Sequence, residues 1–95
     1  MRTDIDQIKE KVLPILKMGG VTRSAIFGSY VRGDNKEDSD IDILIDLPRG
    51  KTLFDLVDLQ MKLGEALGKK IDVVTYNSLH PLLKDRILAE QIKIL

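Results

Sequence analysis

Residues 25–46, AIFGSYVRGDNKEDSDIDILID, contain two apolar runs that are separated by a glycine turn and a polar loop. Two aspartates at alternate positions, Asp40 and Asp42, stand at the start of the second run. Because strand side chains alternate between two faces, both carboxylates project from the same face, about 7 Å apart along the strand. Two like charges held this close are unfavourable unless a cation lies between them or one is protonated. The stretch therefore predicts a metal site.

The composition indicates one small, neutral domain, which we expect to extend over residues 1–95. The 15 basic and 15 acidic side chains cancel, so no overall field draws the chain to nucleic acid or to an anionic membrane. Cysteine is absent, which excludes disulfides, thiolate metal sites and cysteine nucleophiles. No segment has the roughly 20 apolar residues of a membrane span, and we expect a cytoplasmic protein.

Apolar periodicity and turn residues predict seven elements in the order α-β-α-β-α-β-α. The pairs Thr3 with Asp6 and Thr52 with Asp55 match capping boxes at two helix starts. Ser78 is expected to cap the last helix. The predicted helices are 3–18, 30–32, 53–67 and 79–92, and the predicted strands are 21–27, 41–47 and 70–76.

This order predicts the α/β class, with a small mixed three-stranded sheet flanked by helices. The second and third strands are joined by a helix, and such crossovers are right-handed and connect parallel strands. Asp72 at the start of the third strand then lies beside Asp40 and Asp42. If the first strand is antiparallel to the second, Gly28 and Ser29 reach the same edge. The unpaired N–H groups at the helix start after Gly28 would bind an anion.

Three carboxylates and an anion-binding turn at one edge point to phosphoryl transfer. Hard oxygen ligands select Mg²⁺ or Mn²⁺, whose coordination is completed by waters and substrate phosphates. Two such ions about 3.5–4 Å apart can clamp an in-line displacement. We expect Asp40 and Asp42 to bridge both ions, and Asp72 to hold the ion that activates the incoming hydroxyl and to accept its proton. Ser29 and the amides near it would hold the outer phosphates of a nucleotide.

The spacing of these residues resembles a known signature. Gly28-Ser29, ten intervening residues and Asp40-Ile41-Asp42 match the GSx10DxD pattern of the nucleotidyltransferase superfamily typified by DNA polymerase beta. The short chain, the GSYVRG form of the turn and the later KIDVV strand most resemble the minimal nucleotidyltransferases. Among these, the closest resemblance is to the MNT-type antitoxins that are paired with HEPN toxins.

The resemblance implies the nucleotidyltransferase fold and a Mg²⁺-dependent transfer of AMP from ATP. In this family the acceptor is a tyrosine of the partner HEPN ribonuclease, which the transfer silences. Asp40, Asp42 and Asp72 match the family's catalytic and metal-binding carboxylates. Gly28 and Ser29 match its nucleotide-binding pair. Many members have arginine directly after that pair.

Here Tyr30 occupies the position after the pair, so Arg32 is the nearest cation for a phosphate. This departure leaves the strength of the triphosphate contact in doubt. Arg32 could equally form a surface salt bridge of small worth. We expect Tyr30 to pack rather than to act.

Two hypotheses about function remain open at this point. The first is an enzyme that modifies a protein hydroxyl, and the second is a nucleotide-binding antitoxin that neutralises its toxin by occlusion without catalysis. Transfer to a small molecule such as an aminoglycoside is a weaker third possibility, since the chain lacks an extra domain to hold one. The oligomeric state is left open.

Several other polar and apolar positions have plainer interpretations. Asp46 lies further from the strand edge and receives no metal role, and Tyr76 is interpreted as a packing residue. His80, the single histidine, is expected to be exposed and without a role. The apolar positions of the last helix exceed what a core needs and could form a partner surface; they include Leu82, Leu88 and Ile92.

Overall fold

The computed structural model describes residues 4–34, 36 and 39–95, so the capping box expected at Thr3 lies outside the described residues. All seven predicted elements are present, with ends that shift by a few residues. The helices are α1 (Asp4–Met18), α2 (Ser29–Arg32), α3 (Leu53–Leu67) and α4 (Pro81–Glu90), and the strands are β1 (Arg23–Phe27), β2 (Ile41–Asp46), β3 (Ile71–Thr75) and β4 (Ile92–Lys93). A 3-10 turn, Tyr76–Ser78, follows β3.

The strands form a mixed sheet in the order β3-β2-β1-β4. Strand β1 runs antiparallel to both β2 and β4, and β2 runs parallel to β3. The predicted parallel pairing of the second and third strands is therefore confirmed, and the condition that the first strand is antiparallel to the second is met. Helix α3 connects the parallel pair, as the crossover requires.

The fourth strand corrects the prediction of three strands. The apolar pattern at the end of the chain predicted a helix to Ile92, but α4 ends at Glu90 and β4 begins at Ile92. Ile92 then pairs with Ile26 of β1. This pairing provides hydrogen-bond partners for the edge of β1 that would otherwise be exposed. A periodicity of apolar residues within one segment cannot predict a pairing between distant segments.

The two faces of the sheet are covered by different helices. On the first face, side chains of α1 and α3 pack against Ile41, Ile43 and Ile45, which are fully buried. On the second face, residues of α4 pack against a smaller cluster that contains Leu44 and Tyr76. Since side chains alternate along β2, Asp42 lies on the second face with Leu44. The site is thus on the face covered by α4.

The predicted aromatic packing is confirmed. Tyr30 is buried in the first cluster and Tyr76 in the second. The Arg23 guanidinium lies 3.8 Å from the centre of the Tyr76 ring, and it contributes a cation–π contact.

The helix caps give one confirmation and two corrections. The backbone N–H of Thr52 donates to Asp55 Oδ2 at 2.7 Å, which confirms the capping box of α3. Ser78 does not cap α4, because its hydroxyl donates to the Thr75 carbonyl. His80 caps α4 instead: its Nδ1 accepts from the Leu82 N–H at 3.1 Å. The expectation that His80 has no role was therefore wrong.

Within the described part of the chain, no helix is both long enough and apolar enough to cross a membrane.

Candidate active site

The strand register gathers the predicted site residues at one edge of the sheet. Asp42 pairs with Asp72 across the parallel strands, and with Phe27 across the antiparallel pair. Gly28 follows Phe27 directly, and Ser29 begins α2. The strand register therefore brings Asp42, Asp72 and the glycine turn to the same edge of the sheet, as expected.

Asp40 lies two residues before Asp42, just outside β2, and is partly exposed. The Lys70 ammonium is 4.0 Å from Asp40 Oδ2. Because the Lys70 side chain is 83% exposed, this ion pair is weak and can be displaced by a stronger cation. The carboxylate of Asp40 is therefore available to another cation.

Gly28 is required by both its backbone conformation and its neighbour. Its φ of 82° and ψ of −150° fall in a region that is essentially restricted to glycine. A Cβ at this position would overlap the Oδ2 atom of Asp42. The glycine therefore lets the α2 turn lie directly against the carboxylate, which puts the backbone of that turn next to the acidic edge.

The charge of Asp42 is unfavourable in this setting. Its pKa is raised above the ordinary 3.8, first by burial and then by the negative charges of Asp72 and Asp40. The Arg32 guanidinium opposes this shift, but it contributes less than the other three causes. A cation bound between the carboxylates would remove the repulsion.

Arg32 forms ion pairs with two carboxylates. Its Nε lies 3.3 Å from Asp34 Oδ2, and its Nη1 lies 3.8 Å from Glu90 Oε2. Glu90 also contacts Arg86, whose Nε is 3.4 Å from Glu90 Oε1. The salt-bridge interpretation of Arg32 is therefore realised in this structure, and a phosphate would compete with Asp34 and Glu90 for it.

The predicted metal site remains a prediction. Across residues 4–34, 36 and 39–95, no three Asp, Glu, His or Cys side chains are arranged so that they could hold a metal ion. The donor set nevertheless fits Mg²⁺, since it consists of carboxylate oxygens on adjacent strands at one edge. The raised pKa of Asp42 also fits a cation site, because burial and the neighbouring carboxylates disfavour the negative charge of Asp42 and a bound cation would offset this.

An open cleft of about 490 Å³ lies against this edge. One wall comes from the end of β1, from α2 and from β2, and includes Gly28, Arg32 and Asp42. The other wall is formed by α4. Its lining residues, which sequence reasoning did not assign to the site, are Leu83, Arg86, Ile87 and Glu90. Helical spacing places these four on one face of α4, but it could not indicate that this face borders Asp42.

Comparison with known proteins identifies a family and several relatives that resemble this chain. The nucleotidyltransferase domain family matches residues 5–94. A candidate protein adenylyltransferase of Methanocaldococcus jannaschii is 58% identical over 92 residues, which cover 97% of this chain and 99% of the relative. The protein adenylyltransferase MntA of Thermococcus cleftensis is 39% identical over 75 residues, covering 79% of this chain and 76% of MntA.

Two solved structures have the same fold. A candidate minimal nucleotidyltransferase superposes with a TM-score of 0.81 at 35% identity, covering 96% of each chain. A complex described as a tri-AMPylated Shewanella oneidensis HEPN toxin with its MNT antitoxin contains a chain with a TM-score of 0.72 at 21% identity. That match covers 94% of this chain and 70% of the other, and at this identity it shows the fold alone. The family match over residues 5–94 and the relative that is 58% identical over 97% of the chain show that this protein belongs to the nucleotidyltransferase domain family.

Proposed function

We propose that this chain is a protein adenylyltransferase that transfers AMP from ATP to a tyrosine of a HEPN toxin, and that it acts in this way as the antitoxin. The arrangement of carboxylates at the sheet edge supports this proposal: Asp42 is paired with Asp72 across β2 and β3, beside the Gly28 turn. The names of the two curated relatives, both protein adenylyltransferases, support the reaction class. The HEPN and MNT complex of similar fold supports the kind of partner.

In the proposed reaction, the acceptor hydroxyl oxygen attacks the α-phosphorus of ATP. The bond between that phosphorus and the bridging oxygen of the β-phosphate breaks, and pyrophosphate leaves. The hydroxyl proton passes to Asp72, whose side chain is exposed at the start of β3. The products are the AMP-modified protein and pyrophosphate, so all atoms are accounted for.

Asp40, Asp42 and Asp72 are the residues proposed to hold Mg²⁺. When bound, the metal would neutralise phosphate charge and favour the ionised form of the attacking hydroxyl. The contribution of the chain itself is to hold Asp42 and Asp72 opposite each other on two paired strands, with Asp40 just before the first of them. A paired strand edge keeps this spacing better than a loop would.

The α2 turn is the proposed binding site for the outer phosphates. Ser29 and the first backbone amides of α2 would hold them, since they follow Gly28, the residue that lies against Asp42. Arg32 would join them after exchanging Asp34 and Glu90 for a phosphate. Arg86 would remain as a partner for Glu90, so the exchange leaves that carboxylate paired.

The test is transfer of label from α-labelled ATP to a HEPN protein encoded beside this chain, with Mg²⁺ present. The informative variant is Asp42→Asn, and Asp46→Asn is its matched control. Asp46 is also on β2, but it lies at the far end of the strand and pairs with Arg23 at 3.9 Å. We expect label on the partner with the unaltered chain and with Asp46→Asn, and none with Asp42→Asn. Equal labelling by Asp42→Asn would refute the assignment of the site.

A non-catalytic antitoxin is the second candidate. The engagement of Arg32 by two carboxylates favours it, because the nearest cation for a phosphate is already paired. A tight complex with the HEPN protein and no transferred label would establish occlusion as the function.

A further inference from the structure

Helix α4 exposes apolar side chains at its start. Leu82 is 86% exposed and Leu83 is 50% exposed. By contrast, Leu88 packs against the cluster on the second face of the sheet, and Ile92 is partly buried in β4. Of the three surplus apolar positions singled out from the sequence, only Leu82 is thus strongly exposed. Leu82 and Leu83 together are called the α4 patch below.

The α4 patch is continuous with the candidate active site. Leu83 lines the cleft that also contains Asp42 and Gly28. Leu82 precedes Arg86 by four residues, and side chains at this spacing are neighbours on a helix surface. Since Arg86 lines the cleft, Leu82 is the helix-surface neighbour of a lining residue. The α4 patch thus extends the apolar wall of the cleft outward along α4.

The two walls of the cleft differ in chemistry. The wall formed by α2 offers Gly28, a glycine that admits close approach, and the cation Arg32, both of which suit phosphates. The wall formed by α4 offers Leu83 and Ile87. In an in-line displacement the acceptor approaches opposite the leaving pyrophosphate. If the phosphates lie along α2, the apolar wall of α4 is left for the acceptor.

We propose that the α4 patch is the docking surface for the acceptor protein. The segment that presents the accepting hydroxyl places an apolar side chain over Leu82 and Leu83, which guides the hydroxyl along α4 toward Asp42. This inference rests on the proposed function and adds to it the surface that recognises the protein substrate. Burial of an exposed leucine is favourable in proportion to the apolar area removed from water.

A second exposed apolar surface, on α3, provides the control and the competing docking surface. Four side chains of α3 are exposed, by 77%, 87%, 55% and 61%: Leu53, Phe54, Val57 and Met61. Leu53 and Phe54 lie at the start of α3, which follows the end of β2, whereas Asp42 stands near the start of that strand. They are therefore at the opposite edge of the sheet from the cleft. A charge at Phe54 tests whether any exposed apolar side chain matters equally.

The variants are Leu82→Asp and Phe54→Asp. Both positions lie in the first turn of a helix, where an acidic side chain suits the helix dipole, so the fold should tolerate either change. The readouts are KM for the HEPN protein, KM for ATP, and Kd of the complex between the two proteins by calorimetry. We expect Leu82→Asp to raise KM for the HEPN protein and the Kd by about ten-fold or more. KM for ATP should be unchanged, and Phe54→Asp should alter none of the three.

The outcomes separate this inference from the proposed function. No transfer by the unaltered chain would refute adenylyl transfer, while a Kd raised by Leu82→Asp alone would still support docking on α4. An unchanged Kd and an unchanged KM for the HEPN protein in Leu82→Asp would overturn the inference. An equal effect of Phe54→Asp would overturn it too. A rise in KM for ATP alone would assign the α4 patch to the nucleotide and also contradict the proposal.

Discussion

Replacement of Gly28 by alanine tests the contact on which the proposed site depends. The backbone at Gly28 has φ 82° and ψ −150°, and holding a residue with a side chain in such a region costs about 1–3 kcal/mol. For a domain of this size, each kcal/mol lowers Tm by about 4–8 °C. We therefore expect Gly28→Ala to lower Tm by roughly 4–24 °C.

The effect on activity should exceed the effect on stability. An added Cβ would overlap Asp42 Oδ2, so either the carboxylate or the α2 turn must move. A displacement of about 1 Å in a catalytic arrangement can reduce the rate about 100-fold. We expect a loss of this order in AMP transfer by Gly28→Ala, measured at a temperature where the variant is fully folded.

Gly68→Ala is the control for the cost of placing alanine at a positive φ. Gly68 ends α3 in the left-handed region, with φ 63° and ψ 26°, and an added Cβ there meets no atom within 4 Å. Alanine in that conformation costs about 1–2 kcal/mol, without any effect on Asp42. Thermal denaturation and label transfer are measured for both variants. The reasoning is refuted if Gly28→Ala keeps transfer within a few-fold of the level seen with Gly68→Ala.

Three further predictions concern charge. Asp42→Asn should abolish transfer yet raise Tm at pH 7, because it removes a carboxylate whose pKa is raised by burial, Asp72 and Asp40. The Tm gain should shrink as the pH falls toward 3.8, since the folded protein protonates Asp42 before the unfolded chain does, and it should be absent below that pH; a lower Tm at pH 7 would contradict this. The backbone hydrogen bond from Thr52 lowers the pKa of Asp55 below 3.8, so its stabilising effect is present above that pH and is lost in stronger acid. Asp55→Ala should therefore lower Tm at pH 7, with the difference vanishing in acid titration; a pH-independent difference would contradict this. Glu90→Gln releases Arg32 from one carboxylate and should lower KM for ATP by at most about five-fold, since exposed ion pairs are worth about 0.2–1 kcal/mol; a raised KM would show that Glu90 positions Arg32.

The sequence failed where contacts between distant segments decide the local structure. The end of α4 illustrates this: the apolar positions up to Ile92 fit a helix, but the chain leaves the helix after Glu90 to pair with β1. A strand of two residues has too few positions to display a period of two, so its pairing partner alone reveals it. The cap of α4 was also mispredicted. Ser78 and His80 both precede the helix, but the Ser78 hydroxyl bonds to the Thr75 carbonyl and only His80 accepts from the Leu82 N–H.

The sequence by itself determined which residues meet at the candidate site. The alternate aspartates, Asp72 and the Gly28-Ser29 pair are local patterns whose positions follow from strand periodicity and from the handedness of one crossover. Only the tertiary structure decided which groups surround them. The second wall of the cleft is formed by α4, and Glu90 of that helix contacts Arg32. Such contacts depend on the packing of one face of α4 against the sheet, and no short-range pattern in the sequence specifies that packing.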